Sequence, residues 1–346
     1  MTVTEGGPGR AGVPAVRISV ITLTYRRPAD LAEALPALLG HVEEQPGAEL
    51  IVVDNDEQPT ARQVVEQYTS DHAVRYVHEP RPGIAAARNR GLDEAAASDF
   101  VVFIDDDERA EEGWLAALLA TQRDYGSTGV AGAVVSVFDG PVDPWIEAGR
   151  FFRRRRHATG TRVPVVATNN LLLDARALRG WGLRFDEAFG LSGGSDTVLS
   201  LQVGQQGGFF VWCDEAVVLD VVPPSRATRR WVLRRAFRMG NTGSRARVHV
   251  ARSTGERLRV RIASGAQGAA RIAGGTARMA VGAVATDPRR KALGLRTAVR
   301  GAGMLLGAGG YVYSEYARTS GSRPGGRRGT RGSISPTATT SSVTEL

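Results

Sequence analysis

The regular pattern begins at residue 17, where RISVITLT is apolar and β-branched almost without interruption. A run of this kind reads as a strand covered on both faces, as in a parallel sheet. Pro28 then stands in the first turn of a helical stretch over 29–39, a position that suits its fixed φ. ELIVV at 49–53 predicts a second strand, 60–69 a helix, 74–77 a short strand and the alanine-rich 83–97 a helix. DFVVFI at 99–104 predicts a fourth strand and 111–125 an amphipathic helix. Strand alternating with helix implies an α/β fold whose sheet is mostly parallel, with right-handed crossovers. Such sheets bind ligands beyond the carboxyl ends of their strands. Here those ends carry Tyr25-Arg26-Arg27, Asp54-Asn55-Asp56 and Asp105-Asp106-Asp107.

After residue 126 the pattern loosens. A strand is expected over 129–138, then a long loop over 140–161 that holds four arginines at 153–156. An extended stretch follows at 163–173, a helix at 193–206, a strand at 209–219 and an arginine-rich helix at 228–239. Residues 256–284 read as helix, with an apolar side made mostly of Ala and Gly. Ser264, Arg271 and Arg278 recur every seven residues on one face. Ile262, Ala266, Ala269, Ala273, Ala277, Ala280 and Val284 form the face opposite. The chain is thus expected to divide into a disordered leader (1–16), a catalytic domain (17–240), a basic helical extension (241–318) and a disordered Gly/Ser/Thr/Arg-rich tail (319–346).

Composition narrows the classes. The chain has 346 residues, 42% of them hydrophobic, enough for a sizeable core. Its one cysteine, Cys213, excludes an internal disulfide and reads as a buried core thiol. No secretory leader is visible, and no uncharged apolar run reaches the ~18 residues of a membrane span. Charge is divided: residues 1–225 carry 20 arginines against 32 acids, whereas 226–318 carry 20 basic residues against three acids. That asymmetry predicts an acidic catalytic body joined to a basic appendix that meets anions. A nucleic-acid partner is not expected, because the basic segment has no stacking platform or finger pattern. Anionic lipid is the favoured partner, which would hold a cytoplasmic protein peripherally on the inner face of the cell membrane by salt-screened attraction; the alternatives are a polyanionic acceptor, or a segment that packs as helices on the catalytic domain with its arginines outward.

The aspartate triplet is the sharpest chemical feature. Three consecutive carboxylates at a strand end need a counter-charge to lose water. A hard divalent cation bridging one or two carboxylates to substrate phosphates supplies it and neutralises a departing diphosphate.

Five segments in register carry a resemblance: Thr24-Tyr25-Arg26-Arg27-Pro28, Val52-Val53-Asp54-Asn55, the stretch GIAAARNRG at 83–91, Phe103-Ile104-Asp105-Asp106-Asp107 and Gly193-Gly194-Ser195-Asp196-Thr197. Together, over about residues 17–240, they resemble a family 2 glycosyltransferase with a GT-A fold, a Rossmann-like sheet flanked by helices. The resemblance implies inverting transfer of a sugar from a nucleotide diphosphate sugar, with Mn²⁺ or Mg²⁺. Thr24, Tyr25 and Arg26 would then meet the donor nucleotide, with Tyr25 packed on the base. Asp54 would accept a hydrogen bond from the base. Arg88 would contact the nucleotide or pair with Asp54 or Asp105. Asp105 and Asp106 would contact the ribose, Asp105 and Asp107 would serve the metal, and Asp196 would be the general base.

Three positions depart from the family pattern. Ser195 stands where Glu is usual, Val198 where a second Asp often follows, and Asp220 where many relatives place a histidine. Asp220 then ligates metal, pairs with Arg226 or is structural. The segment at 226–231 lacks the glutamine of the processive signature, so addition of one sugar is favoured over polymerisation. The acceptor is open: a lipid-linked or polysaccharide precursor or a small molecule, with the arginines at 153–156 as candidates for an acceptor phosphate. Asn169 and Asn170, near the acceptor side, are expected to satisfy backbone groups. The alternative is a catalytically impaired sugar-nucleotide or membrane-surface binding module of the same fold. A nucleotidyltransferase is set aside, because the loop after strand one has no glycine.

Overall fold

The computed structural model describes residues 16–313. The leader expected over 1–16, apart from its last residue, and the tail over 319–346 lie outside the described residues. The first half alternates as the pattern requires: β1 (Ile18–Thr24), α1 (Pro28–Glu43), β2 (Ala48–Asp54), α2 (Arg62–Glu66), β3 (Val74–His78), α3 (Ile84–Glu94), β4 (Phe100–Asp105), β5 (Glu108–Ala110) and α4 (Trp114–Tyr125). It continues with β6 (Gly129–Phe138), α5 (Pro144–Gly149), β7 (Arg162–Val163), β8 (Asn170–Asp174), α6 (Ala175–Gly180), α7 (Ser195–Gln205) and β9 (Phe210–Val222). Three long helices close the described chain: α8 (Arg229–His249), α9 (Thr254–Val284) and α10 (Pro288–Ala308).

Among the described residues, nine strands make one sheet in the order β3-β2-β1-β4-β8-β6-β9-β5, with β7 also on β9. β1, β2, β3 and β4 are mutually parallel where they pair, and β8 runs antiparallel to β4 and β6. Both faces are covered. Val20 joins the core beneath α1 and α4, with Leu35 and Trp114, while its neighbour Ile21 joins the opposite core with Phe103, Phe185 and Leu199. The period-2 alternation of a strand sends adjacent side chains to opposite faces, so an unbroken apolar run serves two cores. Cys213 is buried in the first of them, as expected.

The second half departs from the sequence expectation in four places. The loop over 140–161 contains α5, started by Pro144 and capped by the Asp143 carboxylate on the Trp145 N–H. The extended stretch over 163–173 leads into β8, and α6 follows it. α8 runs ten residues past the expected end at 239, straight through the expected boundary at 240/241. The expected helical extension contains a further helix, α10, beyond the one delimited at 256–284.

α9 and α10 form an antiparallel hairpin so close that glycine is required at the seam. A Cβ on Gly275 would lie 2.5 Å from the Ala298 nitrogen, and one on Gly294 2.6 Å from the Gly275 carbonyl. The buried positions of α9 are Ser264, Gly268, Gly275 and Gly282. The glycine seam is inside, whereas Ile262 (64% exposed) and Val284 (89%) point outward. α10 is anchored to the catalytic body through Ala292, packed with Ile146, Phe151, Phe152 and Val232.

Candidate active site

A cleft of about 660 Å³ opens at the C-terminal ends of β1, β2 and β4 and is walled on the far side by β9 and α8. It gathers Thr24, Tyr25, Arg26, Arg88, Asp105, Asp106, Asp107 and Asp196 from four separated stretches of sequence. Of the sequence-predicted site residues, only Asp54 does not line it. Asp54 is fully buried; one carboxylate oxygen accepts from Asp56 N–H at 3.0 Å, the other from Ala61 N–H and the Tyr76 hydroxyl, each at 2.9 Å. It therefore shapes the loop after β2, and its neighbour Asn55 reaches the cleft instead.

The loop after β1 turns sharply. Arg26 has φ 55°, a left-handed conformation uncommon outside glycine. Its N–H donates to Asp56 at 2.9 Å, and its guanidinium lies 5.1 Å from the Tyr25 ring centre. This turn leaves Tyr25 37% exposed at the mouth of the cleft.

The acidic loop after β4 has an uneven environment. Burial pushes the Asp105 carboxyl up to about 6, with Asp107 adding repulsion and Arg88 opposing it. Burial likewise pushes Asp106 up to about 7, against the pull of Arg27. One oxygen of Asp106 is buried without a hydrogen-bond partner. Glu108, which sequence reasoning did not single out, is also buried and held well above the usual carboxylate range by burial and by Asp105. It accepts from Asn169 Nδ2 at 2.6 Å. Asp107 is held between Arg27 Nη1 at 2.8 Å and Arg226 Nη1 at 2.9 Å. The sequence offers Arg226 only as a partner for Asp220 and gives Arg27 no role of its own; 119 residues separate Arg226 from Asp107.

Among the described residues, no three His, Cys, Asp or Glu side chains converge on a single point. Yet the donor set suits a hard cation. The acids are oxygen donors, and burial pushes two of them up, a cost that a bound cation would offset. A Mg²⁺ or Mn²⁺ site needs only one or two carboxylates when substrate phosphates and water complete the shell. Asp105 and Asp107 are the residues that fit.

Asp220 sits opposite Glu108 in the β5–β9 pairing. Of the partners open to it, it takes Arg154, at 2.5 Å, and Arg226 goes to Asp107. Of the four-arginine loop, Arg154 thus enters the cleft while Arg156 pairs with Asp214 at 2.7 Å outside it. Asn170 is structural: its amide donates to the Ala133 and Ala216 carbonyls and accepts from Trp114 Nε1.

Asp196 lies in the first turn of α7. Gly193 (φ 75°) and Gly194 (φ 100°) swing the chain into that turn, and a Cβ on Gly194 would collide with the Thr242 methyl. Asp196 is half-buried and accepts from its neighbour Thr197 N–H at 2.6 Å. Ser195 is fully buried, and its hydroxyl accepts from Arg88 Nη1 at 3.0 Å. Arg88 therefore pairs with neither Asp54 nor Asp105. A neutral hydroxyl at 195 leaves the Arg88 charge uncancelled, and that charge acts on Asp105.

A family model for glycosyl transferase family 2 matches residues 19–181. The succinoglycan biosynthesis protein ExoM of Rhizobium meliloti is 37% identical over 234 residues, covering 66% of this chain and 75% of that protein. A pre-mycofactocin glycosyltransferase of Mycobacterium tuberculosis is 30% identical over 186 residues, 51% of this chain and 38% of its own length. Among solved structures, GalNAc-T7 with UDP, GalNAc and Mn²⁺ superposes with a TM-score of 0.51 at 15% identity, over 68% of this chain and 48% of the other. S. aureus TarS gives 0.50 at 16% identity, over 71% and 42%. These two likenesses bear on the fold, which is of the GT-A type.

Proposed function

The chain belongs to glycosyl transferase family 2, and from that premise we propose that it moves one sugar from a nucleotide diphosphate sugar to an acceptor hydroxyl with inversion at the anomeric carbon. The observation that supports this reading is that Asp196 and the 105–107 acids line the same cleft while coming from different walls of it. An inverting transfer needs that division, with charge neutralisation at the leaving group and a carboxylate on the opposite side.

In this reading Tyr25 stacks on the base, with Thr24 and Arg26 beside the nucleotide. Asp54 acts at one remove, by fixing the loop that presents Asn55. Asp105 and Asp107 hold Mn²⁺ or Mg²⁺ with the diphosphate, and Asp106 contacts the ribose. When bound, the cation stabilises the negative charge of the departing diphosphate. Arg27 and Arg226, now on Asp107, supply further positive charge on the same side. Asp196 removes the proton of the acceptor hydroxyl as that oxygen attacks. The likeness to a succinoglycan biosynthesis protein supports a step in polysaccharide assembly. We place the protein at an anionic membrane surface, through the basic extension and the outward apolar face of α9. Among the described residues no helix is long and apolar enough to cross a membrane.

The test is nucleotide release from UDP-, dTDP- and GDP-sugars, with Mn²⁺ and with EDTA, for the wild type and Asp196→Asn. One donor should turn over with metal, and the variant should lose roughly 10²–10⁴ in kcat with donor affinity nearly unchanged. A variant that loses donor affinity and keeps kcat would make Asp196 a binding residue. A non-catalytic binding module is favoured by one observation, the engagement of both Asp107 and Asp220 by arginines. It predicts donor binding without turnover in the whole panel.

A further inference from the structure

The α8 wall of the cleft carries positive charge that the donor chemistry leaves unanswered. Arg235 lines the cleft one turn beyond Trp231, its guanidinium 5.3 Å from the indole ring centre. Trp231 in turn stacks on Phe152, 5.7 Å between centres and 7° from parallel. Arg235 is half-buried, and among the described residues it forms no ion pair. Asp220, the acid whose charge reaches it, is engaged by Arg154. The Nε of Arg154 is buried without a hydrogen-bond partner. Burial, followed by the charges of Arg154, Arg238 and Arg296, pushes the Arg235 guanidinium down to about 10. A buried guanidinium without a counter-ion is destabilising unless something fills the place of that ion.

On the donor side each cleft arginine has an acid to act on, Arg88 acting on Asp105. Arg27 faces Asp106 and Asp107, and Arg226 faces Asp107. The two charges of a nucleotide-sugar diphosphate cancel those of a divalent cation, so a bound donor leaves the excess at α8 in place. The excess also lies apart in the chain. The donor residues come from β1, β4 and the loops after them, whereas Arg154 and Arg235 come from the loop after α5 and from α8.

We propose that Arg154 and Arg235, beside Trp231, form a second oxyanion site in the cleft, for a phosphate or carboxylate group carried by the acceptor. It rests on the reading of this cleft as a glycosyltransferase site and names a feature of its acceptor. Guanidinium groups suit this ligand, because their N–H donors match two oxygens of a carboxylate or phosphate at once.

The experiment is calorimetric titration of the full chain in EDTA with inorganic pyrophosphate and, separately, with glucuronate. It compares the wild type with Arg235→Gln, Arg235→Lys and Arg27→Gln, and the melting temperature of each is recorded without ligand. At least one of the two anions should bind the wild type, and the one that binds tells phosphate from carboxylate. Arg235→Gln should weaken that binding about tenfold or more, Arg235→Lys less, and Arg27→Gln, on the donor side, several-fold less than Arg235→Gln. Arg235→Gln should also raise the melting temperature, since it removes a charge that has no ion partner. The proposal is overturned if neither anion binds, if Arg27→Gln weakens binding as much as Arg235→Gln, or if Arg235→Gln lowers the melting temperature. No donor sugar enters these titrations, so their failure leaves the donor panel standing, and failure of the panel leaves these results standing.

Discussion

Asp107 has two cations within hydrogen-bond distance, and this changes what its removal should do. In Asp107→Ala, Arg27 and Arg226 lose their shared partner and become available to a diphosphate. The cation loses an anchor at the same time. Metal-dependent turnover should fall by roughly 10² or more, yet nucleotide affinity measured in EDTA should hold or rise. Calorimetry of the matching nucleoside diphosphate with and without Mn²⁺ separates the two effects. An affinity that collapses in EDTA as well would mean that the arginines serve only to hold Asp107. A second prediction follows from burial of the neighbouring acids. Asp105 and Asp106, at about 6 and about 7, both lie above their unfolded value near 4. The folded protein therefore binds protons that the unfolded chain has released. The stabilisation this gives is complete below about pH 4 and is lost as pH rises through 6 to 7. The melting temperature in EDTA should fall between pH 5 and pH 8, and Asp106→Asn, which cannot titrate, should flatten the fall. A wild-type melting temperature that rises over this range would contradict the assignment.

Among the elements, the α9–α10 hairpin shows how far a periodic pattern carries. Gly275→Leu would force side-chain atoms into the Ala298 backbone, where even a Cβ lies at 2.5 Å. Overpacking of this kind costs about 1–3 kcal/mol, and more where the obstacle is backbone. Hydrogen exchange should show α9 and α10 losing protection together while β1 and β4 keep theirs; unchanged protection in α10 would refute the close seam. The seven-residue recurrence in α9 was visible in the sequence, but which face goes inside was not. An apolar face normally turns inward, and here glycine and serine do so, because a partner backbone approaches too closely for larger side chains. α10 escaped notice for a related reason: with its many glycines and arginines it has no apolar stripe to read. The parallel strands β1, β2 and β4 were legible because each buries both faces and is rich in β-branched residues. The acids at strand ends were legible from topology alone. Their partners Arg27, Arg226 and Arg154 were not, since ion pairs spanning 66 to 119 residues have no local signature. Asp54 misled for a similar reason. A carboxylate at a strand end looks the same in sequence whether it meets a ligand or caps its own loop.

Across the whole molecule, arginine has two kinds of surroundings. In the acidic body Arg27, Arg75, Arg81 and Arg184 are raised by carboxylate partners, although burial is the largest single influence on Arg27 and acts in the other direction. On α8 and α10 Arg235, Arg245, Arg296 and Arg300 are all lowered by burial. The extension is thus a cationic body docked on an acidic one, and its outermost element is α9. From Leu258 to Val284 the exposed stripe runs about 39 Å at 1.5 Å per residue, with Leu258, Ile262, Val281 and Val284 each more than half exposed. Arg257, Arg259 and Arg278 stand exposed on the same helix. Each basic residue near an anionic bilayer contributes about 1 kcal/mol, screened by salt, and each large aliphatic side chain that enters the interface contributes up to about 1.5–3 kcal/mol, which salt does not screen. The sequence alone suggested attachment that salt abolishes. The exposed stripe instead predicts two components. In flotation with anionic vesicles, the wild type should bind at low salt and keep a residual fraction at high salt. Ile262→Glu combined with Val284→Glu, both on the surface and harmless to the seam, should remove the residual fraction and weaken the rest. If the stripe instead meets a second copy of the chain, the double variant will change the mass measured by size exclusion with light scattering and leave flotation as it was. No flotation of the wild type at low salt would leave α9 as a buttress for α10, with no part in bringing the cleft to a membrane-bound acceptor.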